Sequence, residues 1–130
     1  MRDVEVIASD VVDCAVRIHR DLGPGLLESV YELVLAGALK RRGYKIDRQV
    51  PVSIVYDGMR FDAAFKVDIL VDDCFVVELK SVEALLPVHS KQVITYLRLM
   101  KLPLGLLLNF SDETMVKGIR RLANNHRPNR

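Results

Sequence analysis

The sequence contains no tryptophan, and only 6% of its 130 residues are aromatic. It therefore shows no evident set of aromatic side chains on which the bases of a single strand would stack. It also has only two cysteines, Cys14 and Cys74, which are too few for a disulfide framework and lack metal-ligand spacing. We expect both to be buried thiols in a reducing compartment, which predicts a cytoplasmic protein.

Long apolar runs are absent as well. None approaches the roughly 20 residues that a membrane-spanning helix needs, so we expect no membrane association. Asp3 and Glu5 leave no apolar segment typical of a secretory signal near the start. The chain is 50% apolar and 28% charged, which is the balance of a globular protein. We predict a single domain over residues 1–124 and a basic C-terminal tail over residues 125–130.

Acidic residues are missing after Glu113, where basic residues accumulate, and a second basic group lies over residues 40–48. The two groups are Lys117, Arg120, Arg121, Arg127 and Arg130, and Lys40, Arg41, Arg42, Lys45 and Arg48. Such clusters suit a phosphate backbone. A solvated surface explains either cluster at least as well, and the net charge of +2 does not discriminate between these interpretations.

Three segments have the periodicity of helices. Apolar residues recur at steps of three and four over residues 3–22, and Gly23-Pro24-Gly25 ends this first helix. A second helix is predicted over residues 26–42, with apolar residues around so much of its circumference that we expect it to be largely buried. Helical spacing returns over residues 88–101. The first two segments form an N-terminal helical pair.

The strands follow from alternation and turn signals. Residues 44–56 alternate and lead into Asp57-Gly58, a strong hairpin turn. Further strands are predicted over residues 60–71, 75–81 and 104–110, while residues 116–122 fit either an edge strand or a short helix. The order of elements predicts an α/β fold with a mixed sheet of four to five strands flanked by helices.

Charged residues interrupt the central strands at Asp68, Glu78 and Lys80. Glu78 and Lys80 share one face because side chains alternate along a strand. A three-residue loop, Asp72-Asp73-Cys74, would set Asp68 opposite Glu78, whereas a two-residue turn would place it on the other face. Opposed residues have Cβ atoms roughly 4.5–5.5 Å apart, close enough for two carboxylates to bind one divalent cation. A surface ion pair between Glu78 and Lys80 is the alternative.

Three other polar residues are candidates for the same site. Gln92 and Tyr96 are four residues apart and therefore lie on one face of the third helix. Glu28 lies near the start of the second helix, where it would favour the positive helix end. If that helix covers the acidic face of the sheet, Glu28 would instead be an outer metal ligand.

These motifs, in this order, resemble the D…ExK…QxxxY signature of the PD-(D/E)XK nuclease superfamily in its RecB-like form. The matching residues are Asp68, Glu78-Leu79-Lys80 and Gln92 to Tyr96. Gly25-Leu26-Leu27-Glu28-Ser29-Val30-Tyr31 is similar to the pattern of the GxxExxY family within it. The similarity extends over nearly the whole chain, although Val67 stands where the proline of the superfamily's name would precede Asp68.

The resemblance implies a restriction-endonuclease-like core and a site on the central hairpin. Asp68 and Glu78 would bind Mg²⁺ or Mn²⁺ together with the backbone carbonyl of Leu79, and Glu28 would complete the metal site. Lys80 would position the attacking water and stabilise charge on the phosphate. The remaining two residues, Gln92 and Tyr96, would hold Lys80, the backbone or a substrate phosphate.

The leading hypothesis is therefore a metal-dependent nuclease that acts on DNA or RNA, with DNA as the first choice of partner. Attack of a water on phosphorus needs metal ligands and a lysine, and the sequence can supply both. The alternative is a nucleic-acid-binding or complex subunit that retains the nuclease fold without turnover. Exposed apolar residues of the first helix suggest a possible homodimer face.

Overall fold

The computed structural model describes residues 2–128 and has the predicted α/β architecture. Its helices are α1 (Val4–Leu22), α2 (Glu28–Arg41) and α3 (Pro87–Met100). Its strands are β1 (Ile46–Tyr56), β2 (Met59–Val71), β3 (Phe75–Lys80), β4 (Leu104–Asn109) and β5 (Ile119–Ala123). A 3₁₀ turn, Val116–Gly118, precedes β5, so the segment that fitted either a strand or a short helix contains both.

The five strands form one mixed sheet in the order β1-β2-β3-β4-β5. β3 and β4 are parallel, and every other neighbouring pair is antiparallel. β3 and β4 are buried along almost their whole length because helices cover both faces of the sheet there. This arrangement confirms the predicted mixed sheet of four to five strands, and it places β3 at the centre.

Two apolar cores lie on opposite faces of the sheet. On one face, α1 and α2 pack against alternate residues of the central strands, such as Val77 and Leu79 of β3. On the other face, α3 packs through Val93 and Leu97 against residues that include Val76. The contact between α1 and α2 confirms the N-terminal helical pair. Because Glu78 alternates with Val77 and Leu79, it belongs to the face that α3 covers.

The prediction that α2 is largely buried is wrong. One side of α2 packs against α1 and the sheet, and the other side has no neighbouring element within residues 2–128. Only the stripe that includes Tyr31, Leu35 and Leu39 is therefore in the core. Apolar residues on the outer side remain in solvent, with Leu27 exposed to 73% and Leu33 to 55%. Val6 and Leu22 of α1 are exposed as well, and the homodimer face predicted on the first helix stays a prediction.

The hairpin between β1 and β2 turns at Asp57-Gly58, as predicted. Tyr56 pairs with Met59, and both turn residues have positive φ, 52° and 73°. Two positive φ values are typical of the tight hairpin turns whose twist matches that of the flanking strands. Beyond the helices this hairpin is mostly exposed, including Val55 and Phe61.

Acidic partners neutralise much of the basic cluster over residues 40–48. Arg42 contacts Asp10 and Asp13, and Lys45 contacts Asp73. Arg48 contacts Glu32, which is only 5% exposed. Ion pairs within the protein thus account for these three basic residues. Lys40 and Arg41 are exposed, and phosphate binding stays a prediction for these two.

Both cysteines are buried free thiols, as predicted. Within residues 2–128, no helix combines the length and apolar character of a bilayer-spanning segment. In the predicted C-terminal tail, His126 contacts Glu5 of α1 at 2.5 Å, while residues 129 and 130 lie outside the described residues.

Candidate active site on the central hairpin

The loop between β2 and β3 contains the three residues that the site requires. Val71 pairs with Phe75, Leu70 with Val76, and Ile69 with Val77, so Asp72-Asp73-Cys74 is the loop. Asp72 and Asp73 both have positive φ, 50° and 58°, which aspartate tolerates better than most residues. The register confirms the prediction that Asp68 and Glu78 come next to each other on these strands.

Beyond Ile69 and Val77, carboxylate side chains take the place of the backbone ladder. The N–H of Asp68 donates to Glu78 Oε1 at 3.0 Å, and the N–H of Leu79 donates to Asp68 Oδ2 at 2.9 Å. Each acid therefore caps a backbone donor of the opposite strand. Since buried N–H groups require a partner, these bonds hold the two strands together where their own pairing ends.

The environment of Glu78 strongly disfavours its charge. The residue is 5% exposed, and its pKa is raised to about 9. Burial is the main cause, and the negative charge of the adjacent Asp68 raises the pKa further. Lys80 opposes the shift only weakly. Burial and the charge of Asp68 therefore favour the protonated form of Glu78.

The donor set fits a hard divalent cation. Carboxylate oxygens are the ligands that Mg²⁺ prefers in proteins, and two acids crowded together at the edge of the α3 face would gain from a cation between them. Within residues 2–128, no three acidic, histidine or cysteine side chains form a metal-binding group. Backbone oxygens and waters would have to complete the coordination, and the predicted role of the Leu79 carbonyl stays a prediction.

Lys80 lies two residues after Glu78 and is half-buried at the end of β3. Asn109, which pairs with Lys80 in the parallel ladder, is completely buried. Its side-chain amide accepts from the N–H of Val82 at 3.0 Å and donates to the carbonyl of Val82 at 2.9 Å. These two hydrogen bonds between Asn109 and Val82 fix the course of the chain directly after Lys80. They therefore also fix the position from which the lysine side chain projects.

On the α3 side, Tyr96 is brought to the acids. Its ring stacks on Phe65 of β2 with centroids 4.1 Å apart and planes inclined by 3°. The pKa of Tyr96 is raised by burial and by the charges of Glu78 and Asp68. Gln92 lies one turn earlier on α3 and is exposed. Its predicted contact with Lys80 or a substrate phosphate stays a prediction.

Glu28 is not brought to the acidic face. We expected it to be an outer ligand if the second helix covered that face, but α2 packs on the opposite one. Glu28 instead accepts a hydrogen bond from the N–H of Ser81 at 3.1 Å, just after Lys80. It therefore contacts the end of β3 rather than a cluster with Asp68 and Glu78, and its role in metal binding stays a prediction.

The sequence did not predict that Gln49 contacts Asp68, or that Glu32 is linked to Asp68 through Gln49. Gln49 of β1 donates through Nε2 to Asp68 Oδ1 at 3.2 Å and to Glu32 Oε1 at 2.7 Å. Glu32 was detectable as a second charged residue, one turn after Glu28, in an otherwise apolar helix. Gln49 carried no signal, because its place opposite Asp68 depends on the pairing of β1 with β2.

Comparison with known proteins places this arrangement in a family. The model of the PD-(D/E)XK nuclease superfamily matches residues 5–122, from α1 to β5. No curated protein and no solved structure matches the chain significantly. Members of the superfamily are usually nucleases and generally use divalent metal ions such as Mg²⁺. Since the match covers most of the sequence, the chain belongs to the PD-(D/E)XK nuclease superfamily.

Proposed function

We propose that this protein is a nuclease of the GxxExxY type that hydrolyses phosphodiester bonds of DNA with Mg²⁺ or Mn²⁺. One observation carries the proposal. Asp68 and Glu78 share the end of the β2–β3 pairing, and burial beside Asp68 raises the pKa of Glu78 to about 9. Strong perturbation by burial and a like charge is typical of catalytic and metal-binding carboxyl groups.

The roles of the residues follow from their positions. Asp68 and Glu78 would hold the ion, and the bound ion would polarise the phosphate and lower the pKa of a water. Lys80 would donate hydrogen bonds to the phosphate and stabilise the negative charge that develops as water attacks phosphorus. Tyr96, stacked on Phe65, would form the wall of the site on the α3 side.

The alternative is a nucleic-acid-binding subunit that retains the nuclease fold without turnover. The composition of the site argues against it. Both acids and the lysine are chemically competent for phosphodiester hydrolysis. A subunit that no longer catalyses cleavage would not need two carboxyl groups here, because the uncharged amide oxygen of a glutamine or asparagine could accept the same backbone hydrogen bonds without the repulsion between two acids.

The test is cleavage of labelled single- and double-stranded DNA and RNA by purified protein with Mg²⁺, Mn²⁺ or EDTA. Lys80→Ala is the variant, and Lys45→Ala is its control, because Lys45 lies at the opposite end of the hairpin and pairs with Asp73. We expect metal-dependent cleavage that Lys80→Ala lowers about 100-fold or more and Lys45→Ala leaves unchanged.

Three outcomes would contradict the proposal in different ways. Cleavage by Lys80→Ala at the wild-type rate would remove the lysine from the mechanism. Cleavage that persists in EDTA would exclude a metal-dependent mechanism. Absence of cleavage by protein that still binds DNA would favour the non-catalytic subunit. Comparison of the four substrates also decides between DNA and RNA, which are chemically alike at the bond that breaks.

A further inference from the structure

The side chain of Gln49 lies between two carboxylates that belong to different elements. Its Nε2 donates to Asp68 Oδ1 at 3.2 Å and to Glu32 Oε1 at 2.7 Å. A primary amide nitrogen carries two hydrogens, so one glutamine can serve both acceptors. With the bond from Leu79 to Oδ2, each oxygen of Asp68 then accepts one hydrogen bond from the protein.

The anchor on the far side of Gln49 is rigid. Glu32 is 5% exposed, and Arg48 contacts its Oε2 through Nε at 2.9 Å and through Nη2 at 2.7 Å. Glu32 therefore has a partner on each oxygen, as a buried carboxylate requires. A fixed Glu32 holds the amide of Gln49 in one orientation, with its second hydrogen directed at Asp68.

The backbone of β1 is distorted at this residue. Pairs of Arg48 with Ile69 and of Val50 with Val67 bracket Gln49 opposite Asp68, yet Gln49 has a φ of 52°. This left-handed conformation is unfavourable for a glutamine, and such conformations cluster at functional sites. Glycine would adopt it at no steric cost. The side chain, rather than the backbone preference, is thus the reason for a glutamine here.

The donor to Asp68 is a neutral amide rather than a positively charged side chain. A lysine or arginine at this place would satisfy the charge of Asp68 and compete with the ion. The amide orients the carboxylate and leaves its charge available to a divalent cation. Hydrogen-bonded partners of this kind orient metal ligands, and their loss typically costs 10–100-fold in metal affinity or activity.

We propose that Gln49 is a positioning residue for Asp68, held in place by Glu32 and Arg48, an inference that rests on the proposed metal-dependent activity. Gln49 would not touch the ion or the substrate. It would set the direction from which Asp68 Oδ1 approaches the ion, so its replacement should weaken metal binding before it affects the chemical step.

The experiment compares Gln49→Glu and Gln49→Gly with the full-length wild type. Glutamate has the shape of glutamine but no N–H, and it adds a negative charge between Glu32 and Asp68. Glycine removes the side chain and also relieves the strain of the left-handed backbone conformation. Asp57→Gly is the matched control, because Asp57 has the same φ of 52° at the distant hairpin turn. Mn²⁺ binding is measured by titration calorimetry, and cleavage is measured over a range of Mn²⁺ concentrations.

We expect Gln49→Gly to raise the dissociation constant for Mn²⁺ about tenfold and Gln49→Glu to raise it further. Cleavage by Gln49→Gly should recover towards the wild-type rate at saturating Mn²⁺, whereas a defect in folding would not recover. The control should bind and cleave as the wild type does. Circular dichroism melting should show that Gln49→Gly is folded at the assay temperature, because relief of the left-handed backbone strain offsets part of the hydrogen bond that Glu32 loses.

Wild-type Mn²⁺ affinity in Gln49→Gly, or equal or tighter affinity in Gln49→Glu, would overturn the positioning role. A loss of cleavage that saturating Mn²⁺ does not restore would also overturn it. If the wild type itself neither binds Mn²⁺ nor cleaves any substrate, the proposed function fails instead. The wild-type measurement therefore separates the two failures.

Discussion

Glu5 and Glu78 are two carboxyl groups of one chain in opposite environments. Glu5, in the first turn of α1, accepts hydrogen bonds from Arg121 at 2.8 and 2.6 Å, and its pKa is lowered to about 2. Glu78 lies beside Asp68 in the sheet, and its pKa is raised to about 9. The protein supplies a cation to the first carboxyl group and a second acid to the other.

The contrast separates a structural ion pair from a candidate metal site. The hydrogen bonds from Arg121 are the main reason for the low pKa of Glu5, and His126 adds to them. The N–H of Asp68 and the charge of Lys80 lower the pKa of Glu78, but both effects are smaller than those of burial and of the charge of Asp68. Under the proposed function, this buried acid pair would receive its cation from solution.

The largest expected difference concerns cleavage. Glu78→Gln removes the charge of a proposed metal ligand and keeps its shape, so we expect metal-dependent cleavage to fall about 100-fold or more. Glu5→Gln removes a carboxylate of the same kind far from the site and should leave the rate unchanged. Rates at saturating Mg²⁺ measure both. Equal losses in the two variants would show that the contrast has no bearing on function.

The second prediction concerns the pH dependence of metal binding. Because the ion must displace the proton of Glu78, binding should release close to one proton below pH 9. Mn²⁺ affinity should then rise about tenfold per pH unit in this range, and Glu78→Gln should lose that dependence. Calorimetry in buffers of different ionisation enthalpy counts the protons. Binding without proton release would mean that Glu78 is not a ligand.

Metal-free stability should depend on pH in the direction set by Glu78. Its pKa is raised from 4.5 to about 9, so the protonated form is favoured in the folded state. This contribution is fully present below pH 4.5 and is lost as the pH rises through about 9, by up to about 1.4 kcal/mol per pH unit. Urea unfolding in EDTA at several pH values should show this decline in the wild type and a flatter profile in Glu78→Gln. Parallel profiles would contradict the crowding of the two acids.

The smallest effect should come from Glu5 itself. Its pKa is lowered, so its contribution to stability is present above pH 4.5 and is lost as the pH falls through about 2. Since the pair with Arg121 is partly exposed, Glu5→Gln should cost no more than about 1 kcal/mol of unfolding free energy, and salt should reduce that cost. Urea unfolding at low and high salt measures it. A larger, salt-independent loss would indicate that Glu5 holds the C-terminal segment by more than charge.

Much of the fold could be predicted because its signals are local. The steps of three and four in α1, the Asp57-Gly58 turn and the alternation in β3 each lie within a short stretch of sequence. The sequence narrowed the register of Asp68 and Glu78 to two alternatives, of which the three-residue loop at Asp72-Asp73-Cys74 puts them on the same face. The burial of α2 was not accessible in this way, because its apolar circumference does not say which side a neighbour covers.

The sequence alone determined the three helices and the first four strands, because bonded geometry sets the period of each element. Only the tertiary structure decided between a two-residue and a three-residue loop, and hence that Asp68 and Glu78 pair. It also decided that Glu28 contacts the end of β3, that Gln49 joins Glu32 to Asp68, and that Glu78 is buried. These features depend on contacts between distant parts of the chain, where packing and desolvation, rather than local periodicity, set the arrangement.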